Sequence, residues 1–202
     1  MTSPSDEGPL LHQQFTPQQQ QGLLDLAHQS VEATAHQKPM IIVDHEATDP
    51  DLLVPAACFV TLHKYHLLRG CTGILIPQRP LVDEVIVTAS RTAYADPRFP
   101  NVVPTELPDI AIEISVLSAT YPLEVEHWSD IPERLRPSID GVILALGQHR
   151  ATFLPQVWER VPDPNDFLAL LSQKMGLQPN AWRMPNVRVE LFQVVEFADE
   201  HF

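Results

Sequence analysis

Twenty prolines in a chain of 202 residues set the strongest limit on its fold. A proline cannot donate a backbone hydrogen bond and clashes with the preceding helical turn, so helices here should start or stop near prolines. Thr16 stands at an N-cap position, Pro17 at the first helical position, and Gln19 three residues after Thr16, the pattern of a capping box. Leu23, Ala27, Val31 and Ala35 then recur every four residues, which predicts an amphipathic helix over 17–36. Pro80 opens a second helix, with Val82, Val85, Ile86, Ala89 and Ala93 on its buried face. It should stop near Ala95, because Asp96 precedes Pro97 and a residue before proline is pushed out of the α region. Asp163 and Pro164 open a third, with Phe167, Leu168, Leu171 and Met175 inward and Gly176 at its end.

Strands fill the intervals. Ala57 to Leu62 and Leu67 to Ile76 read as partners around a loop at Lys64–His66. Ile110, Ile112, Ile114 and Val116 alternate strictly, leaving Glu113 and Ser115 on the other face. Gly141 to Leu146 is apolar throughout, as a strand covered on both faces would be. Ala151 to Leu154 returns after a turn at Gly147–His149, and Val187, Val189 and Leu191 make a last strand. Ile131 to Leu135 adds one or two helical turns. Without a regular βαβ alternation, the expected class is α+β, a mixed, largely antiparallel sheet packed with helices. Residues 1–15 read as a flexible N-terminal tail, residues 16–202 as one domain, and the glutamines around Gln18–Gln21 as the solvated start of the first helix.

Charge narrows the function. Thirteen basic residues face 26 acidic ones, a formal net charge of −13. Such a chain is repelled by a phosphate backbone unless it carries a local basic patch, and its basic residues are scattered. Nucleic acid is therefore not an expected partner. No apolar run approaches the ~18 residues of a membrane span, and Met1 to Leu10 lacks the basic start of a secretory signal. No membrane association and a cytoplasmic location are the expectations. Two cysteines are too few for a disulfide framework.

The most unusual stretch is Leu68-Arg69-Gly70-Cys71-Thr72-Gly73, in which two of seven glycines frame a cysteine. Glycine inside a strand usually marks a bulge or the close approach of another group. In a regular strand Arg69, Cys71 and Gly73 project from one face. A guanidinium beside a thiol favours the nucleophilic thiolate, and Gly73 would leave space beside the sulfur. The competing reading is a small buried cysteine in a glycine-kinked strand. Asp96 and Arg98 follow the second helix and either pair with each other or join Arg69 in an anion-binding pocket. Cys58 reads as a core residue. It could face Cys71 across a hairpin folded about Lys64–Tyr65, although that pair is a poor two-residue turn. The nine histidines show no metal-ligand spacing, and no metal or cofactor is expected.

Several segments in order resemble the AMMECR domain family, whose bacterial members are called AmmeMemoRadiSam system protein A. They are Phe59-Val60-Thr61-Leu62, Leu68-Arg69-Gly70-Cys71 with Gly73, Asp96-Pro97-Arg98-Phe99, Glu106-Leu107 and Ile114-Ser115-Val116-Leu117. Asp140-Gly141, Ala151 to Trp158, Phe167-Leu168 and Lys174 with Gly176-Leu177 follow. The likeness spans roughly 17–197. Thr72 stands where the family commonly has an aliphatic residue, on the strand face opposite Cys71. The resemblance implies an α+β domain with two subdomains and two companions, a Memo-like protein and a radical S-adenosylmethionine protein. It implies no agreed reaction. Two readings follow. In one, Cys71 and Arg69 are catalytic in a small-molecule site, with Gly70, Gly73, Asp96 and Arg98 binding the substrate. In the other, the motif shapes a non-catalytic surface for the companions.

Overall fold

A computed structural model describes residues 15–200. The chain forms two compact units, one of residues 15–117 with 195–200 and the other Ser118–Val194. The expected N-terminal tail lies outside the described residues except for Phe15, which is buried and meets Phe197 edge-on at 6.0 Å.

The first unit carries helices α1 (Pro17–Ala35) and α2 (Leu81–Tyr94) against a sheet in the order β2-β1-β3-β8. The strands are β1 (Ala57–Lys64), β2 (Leu67–Gly73), β3 (Ile110–Leu117) and β8 (Val194–Ala198). The capping box forms as its spacing predicts: Gln19 N–H donates to Thr16 Oγ1 and Thr16 N–H to Gln19 Oε1. Pro80 is the cap of α2 and not its first residue. One sheet face, Cys58, Val60, Leu62, Ile112, Ile114 and Val116, is buried with Leu23, Val31, Val82, Val85 and Ala89 of the helices. A row of fully buried aliphatic side chains, each contributing about 1.5–3 kcal/mol, supplies most of what holds this unit together.

The second unit packs α3 (Ile131–Arg134) and α4 (Pro164–Lys174) with a sheet in the order β4-β7-β5-β6. Its strands are β4 (Tyr121–Pro122), β5 (Gly141–Leu146), β6 (His149–Phe153) and β7 (Arg188–Phe192). Asp163 caps α4 through Asn165 and Asp166 N–H, and Gly176 ends it at φ +82°. β5 is buried along nearly its whole length, as its unbroken apolar run predicts. Trp158 stacks on Phe167 with ring centroids 3.7 Å apart. Every recorded strand pairing is antiparallel, so the α+β class and the antiparallel preference both hold.

Candidate active face around Cys71

β2 is an edge strand, and the Arg-Gly-Cys stretch lies on it. The hairpin turns at Tyr65 and His66, both at positive φ (53° and 62°), and pairs Lys64 with Leu67. The Tyr65 hydroxyl donates to Asp109 at 2.6 Å, which holds a turn that ordinary side chains disfavour. Beyond the turn the ladder slips: His63 faces Leu68, but Leu62 faces Gly70. Arg69 is the extra residue of a β-bulge.

The bulge changes what the motif does. Arg69 is largely buried and forks onto Glu106, Nε to Oε1 at 3.0 Å and Nη2 to Oε2 at 2.9 Å. Lys64 joins the same carboxylate at 3.1 Å. The Arg69 fork, with help from the Val103 N–H and Lys64, holds Glu106 down to about 2 despite its burial. Gly70 lets the strand approach α2: a Cβ there would sit 3.1 Å from Thr92 Cγ2 and 3.2 Å from its carbonyl oxygen. At Gly73 a Cβ would fall 2.6 Å from the Cys58 carbonyl oxygen and into the Phe59 ring. That ring occupies the space expected beside the sulfur.

Cys71 has both backbone groups turned to the open edge, and one carboxylate–guanidinium fork takes both. Its N–H donates to Asp96 Oδ2 at 2.9 Å, and its carbonyl accepts from Arg98 Nη2 at 3.0 Å. Arg98 also bonds Asp96 through Nη2 at 2.7 Å and Nε at 2.9 Å. Arg98, the Cys71 N–H and the Arg98 N–H keep the Asp96 carboxyl well below the usual carboxylate range, although the side chain is 2% exposed. Edge strands need such covers because unpaired backbone groups invite other strands. Asp96 and Arg98 therefore pair with each other and meet Cys71. Arg69 does not join them in an anion pocket.

The Cys71 thiol points to the sheet face away from the helices. Thr61, its partner on β1, donates Oγ1 to Sγ at 3.2 Å, and Thr61 in turn faces Glu113 on β3. Cys71, Thr61 and Glu113 thus form one row across three strands. Burial raises the thiol pKa; Thr61 and Arg98 oppose the rise, and the Glu113 and Asp96 charges add to it. The cation acting on the sulfur is Arg98, not Arg69. Burial and a hydrogen-bonded neighbour, Glu196, push Glu113 up to about 8. His63 Nε2 lies 3.6 Å from Glu113 Oε2, and Ser115 Oγ reaches Glu196 at 3.4 Å. Burial lowers the His63 pKa, against the pull of Glu196. A cavity of about 390 Å³ opens at the hairpin end of this unit, lined by His63, Tyr65, His66, Asp109 and Asp199. Cys71 does not line it.

Cys58 is fully buried on the opposite face, and burial pushes its thiol up to about 12. The hairpin register sets Cys71 against Thr61, so the two cysteines are free and do not face each other. Thr72 turns to α2 as expected and meets Thr92 Oγ1 at 2.7 Å. Among the described residues, no group of His, Cys, Asp and Glu is disposed to hold a metal ion, and no helix is long and apolar enough to cross a membrane. Sequence reasoning passed over Glu106 and Thr61 as site residues and saw Glu113 only as an outward residue. The signal for Glu113 was a carboxylate alternating into an otherwise apolar strand.

Known proteins share this arrangement of sequence. A protein of Methanothermobacter thermautotrophicus is 44% identical over 143 residues, covering 70% of this chain and 74% of its own. Protein TK0174 of Thermococcus kodakarensis is 35% identical over 190 residues, 89% of either chain. The crystal structure of uncharacterized protein PH0010 from Pyrococcus horikoshii superposes with a TM-score of 0.78 at 32% identity, covering 89% of this chain and 90% of that one. The AMMECR1 family profile matches residues 24–197. Because that match takes in the bulged Arg-Gly-Cys strand, the Asp96–Arg98 fork and all of the second unit's strands, the chain belongs to the AMMECR1 family.

Proposed function

We propose that the sheet face around Cys71 is a small-molecule site with Cys71 as its reactive group, in a pathway shared with a Memo-like and a radical S-adenosylmethionine protein. The companions rest on the family resemblance. The observation that carries the site is the row of Cys71, Thr61 and Glu113 with Arg98 at the Cys71 carbonyl. Burial raises the thiol pKa, and Thr61 and Arg98 oppose that rise. Attack on an electrophilic carbon requires the sulfur lone pair to form the new bond while the thiol proton leaves. Thr61 and Arg98 support the charge that develops on sulfur, and the thiol proton passes to solvent at this half-exposed edge.

The test is complementation with metabolite profiling. A deletion strain should accumulate a compound that the wild-type chain clears and Cys71→Ser does not. Full clearance by Cys71→Ser rejects the reactive thiol. That result would favour a second reading, a non-catalytic partner of the companion proteins, which draws on how many motif groups are spent on holding β2. Under it, Arg69→Ala should weaken pull-down of the companions while Cys71→Ser leaves it intact.

A further inference from the structure

The second unit holds a groove of about 670 Å³, within the range of small-molecule sites. Two chain segments form its walls. Leu123 N–H still bonds the Val189 carbonyl at 2.9 Å, and past that point residues 124–128 and 183–188 line opposite sides. Val125, Trp128, Met184 and Val187 give it an apolar lining, with Trp128 and Met184 37% and 51% exposed.

Arg183 stands out in that lining. Its guanidinium carbon lies 4.6 Å from the Trp182 ring centroid and 5.3 Å from that of Trp128. The two indoles meet edge-on at 5.8 Å, and Trp182 is itself buried. A guanidinium resting on rings keeps its edge N–H donors directed outward, in a fixed plane suited to a carboxylate. In a chain at −13, Arg69, Arg79, Arg98, Arg136 and Arg150 each take a carboxylate partner. Among the described residues, neither Arg183 nor Arg188, which also lines the groove, is in any ion pair. Arg91, Arg134 and Arg160 likewise take no ion pair, but none of them lines this groove; Arg183 is set apart by the two indole rings that hold its guanidinium there.

The acidic neighbours limit that ligand. Glu190 is bonded to Arg150 at 3.0 Å. Glu124 and Glu126 are exposed and line the same groove, so they repel a second negative charge.

We propose that this groove is a second binding site, separate in its residues from the Cys71 face, for a monoanionic carboxylate carried on a flat apolar body. The carboxylate pairs with the Arg183 edge and the body lies over Trp128. The probe is 2-naphthoate added to the full chain, read by indole N–H signals. Trp158, whose indole donates to the Asp140 carbonyl at 2.8 Å, serves as the fold reference. Naphthoate should shift Trp128 and Trp182 at millimolar concentration or below. Arg183→Gln should weaken it by about tenfold or more, Arg183→Lys by less, and Arg160→Gln outside the groove not at all. The uncharged 2-naphthamide should bind more weakly, and dianionic 2-naphthyl phosphate no more tightly than naphthoate. Absence of any Trp128 shift overturns the proposal. So does an unchanged affinity in Arg183→Gln with the Trp158 signal intact, or tighter binding of the dianion.

Discussion

Each unit is closed by one aspartate–arginine fork, and the two forks span different distances. In the second unit Arg136 and Asp140 sit four residues apart, with Nη2 to Oδ1 at 2.7 Å, and fasten the loop that enters β5. In the first, Asp96 and Arg98 sit two residues apart but reach 25 and 27 residues back to grip Cys71 from both sides. The local fork shapes a loop. The reaching fork replaces the missing neighbour of an edge strand, so it sets the backbone from which the thiol projects.

Removing the carboxylates should separate these roles. Asp96→Ala and Asp140→Ala should each cost about 1–3 kcal/mol, because each leaves a backbone N–H, of Cys71 or of Arg136, without its buried acceptor. Only Asp96→Ala should also speed hydrogen exchange at the Cys71 amide. Equal exchange in the two variants would break the comparison. A denaturant melt gives the first quantity and native-state exchange the second.

The next effect concerns pH within the first unit. Glu106 has a depressed pKa, so the stability it contributes is full above about 4.5 and is lost as pH falls towards about 2. Glu113 has the opposite sign. Its carboxyl keeps a proton up to about 8 when folded but loses it near 4.5 when unfolded. Stability should therefore fall as pH rises from about 4.5 to 8, and Glu113→Gln should flatten that decline. A variant with the wild-type slope would remove Glu113 as its source.

The smallest effect is on thiol reactivity. Iodoacetamide should modify Cys71 well before Cys58, which is fully buried with its thiol at about 12. Arg98→Gln should slow Cys71 and Glu113→Gln should speed it, each by less than about tenfold, since partly exposed charges move a pKa by about one unit at most. Rates followed from pH 7 upward would show it. A faster Arg98→Gln would reverse the assignment of the charge at sulfur.

Much of this was legible from neighbouring residues. The capping box at Thr16 and the cap at Asp163 are built within three residues, and the faces of β3 follow from strict alternation. The strand, the cysteine and its glycines were also legible, as was the Asp96–Arg98 pair. The partner of Arg69 was not. Counting by twos assumes a regular strand, and one bulged residue moves Arg69 out of phase with Cys71. Its carboxylate lies 37 residues away at Glu106, a distance that no local pattern encodes. The loop at Lys64–His66 was legible in place but not in conformation: Tyr65 and His66 adopt a backbone that their side chains disfavour, and Asp109 supplies the compensation from 44 residues on. The groove residues of the second unit gave no signal, because the meeting of Arg183 with the rings of Trp128 and Trp182 depends on a contact between residues far apart in the chain.

The bulge also bears on how such a chain could vary by descent. Arg69 is surplus to the hairpin: strike it out, and Leu68 and Gly70 become neighbours, yet Leu67, Leu68, Gly70, Cys71, Thr72 and Gly73 keep the partners they have. A lineage could therefore lose or acquire this residue as a single-codon event without turning the thiol over. Exchanging it for another side chain leaves the kink in place and removes only its anchor.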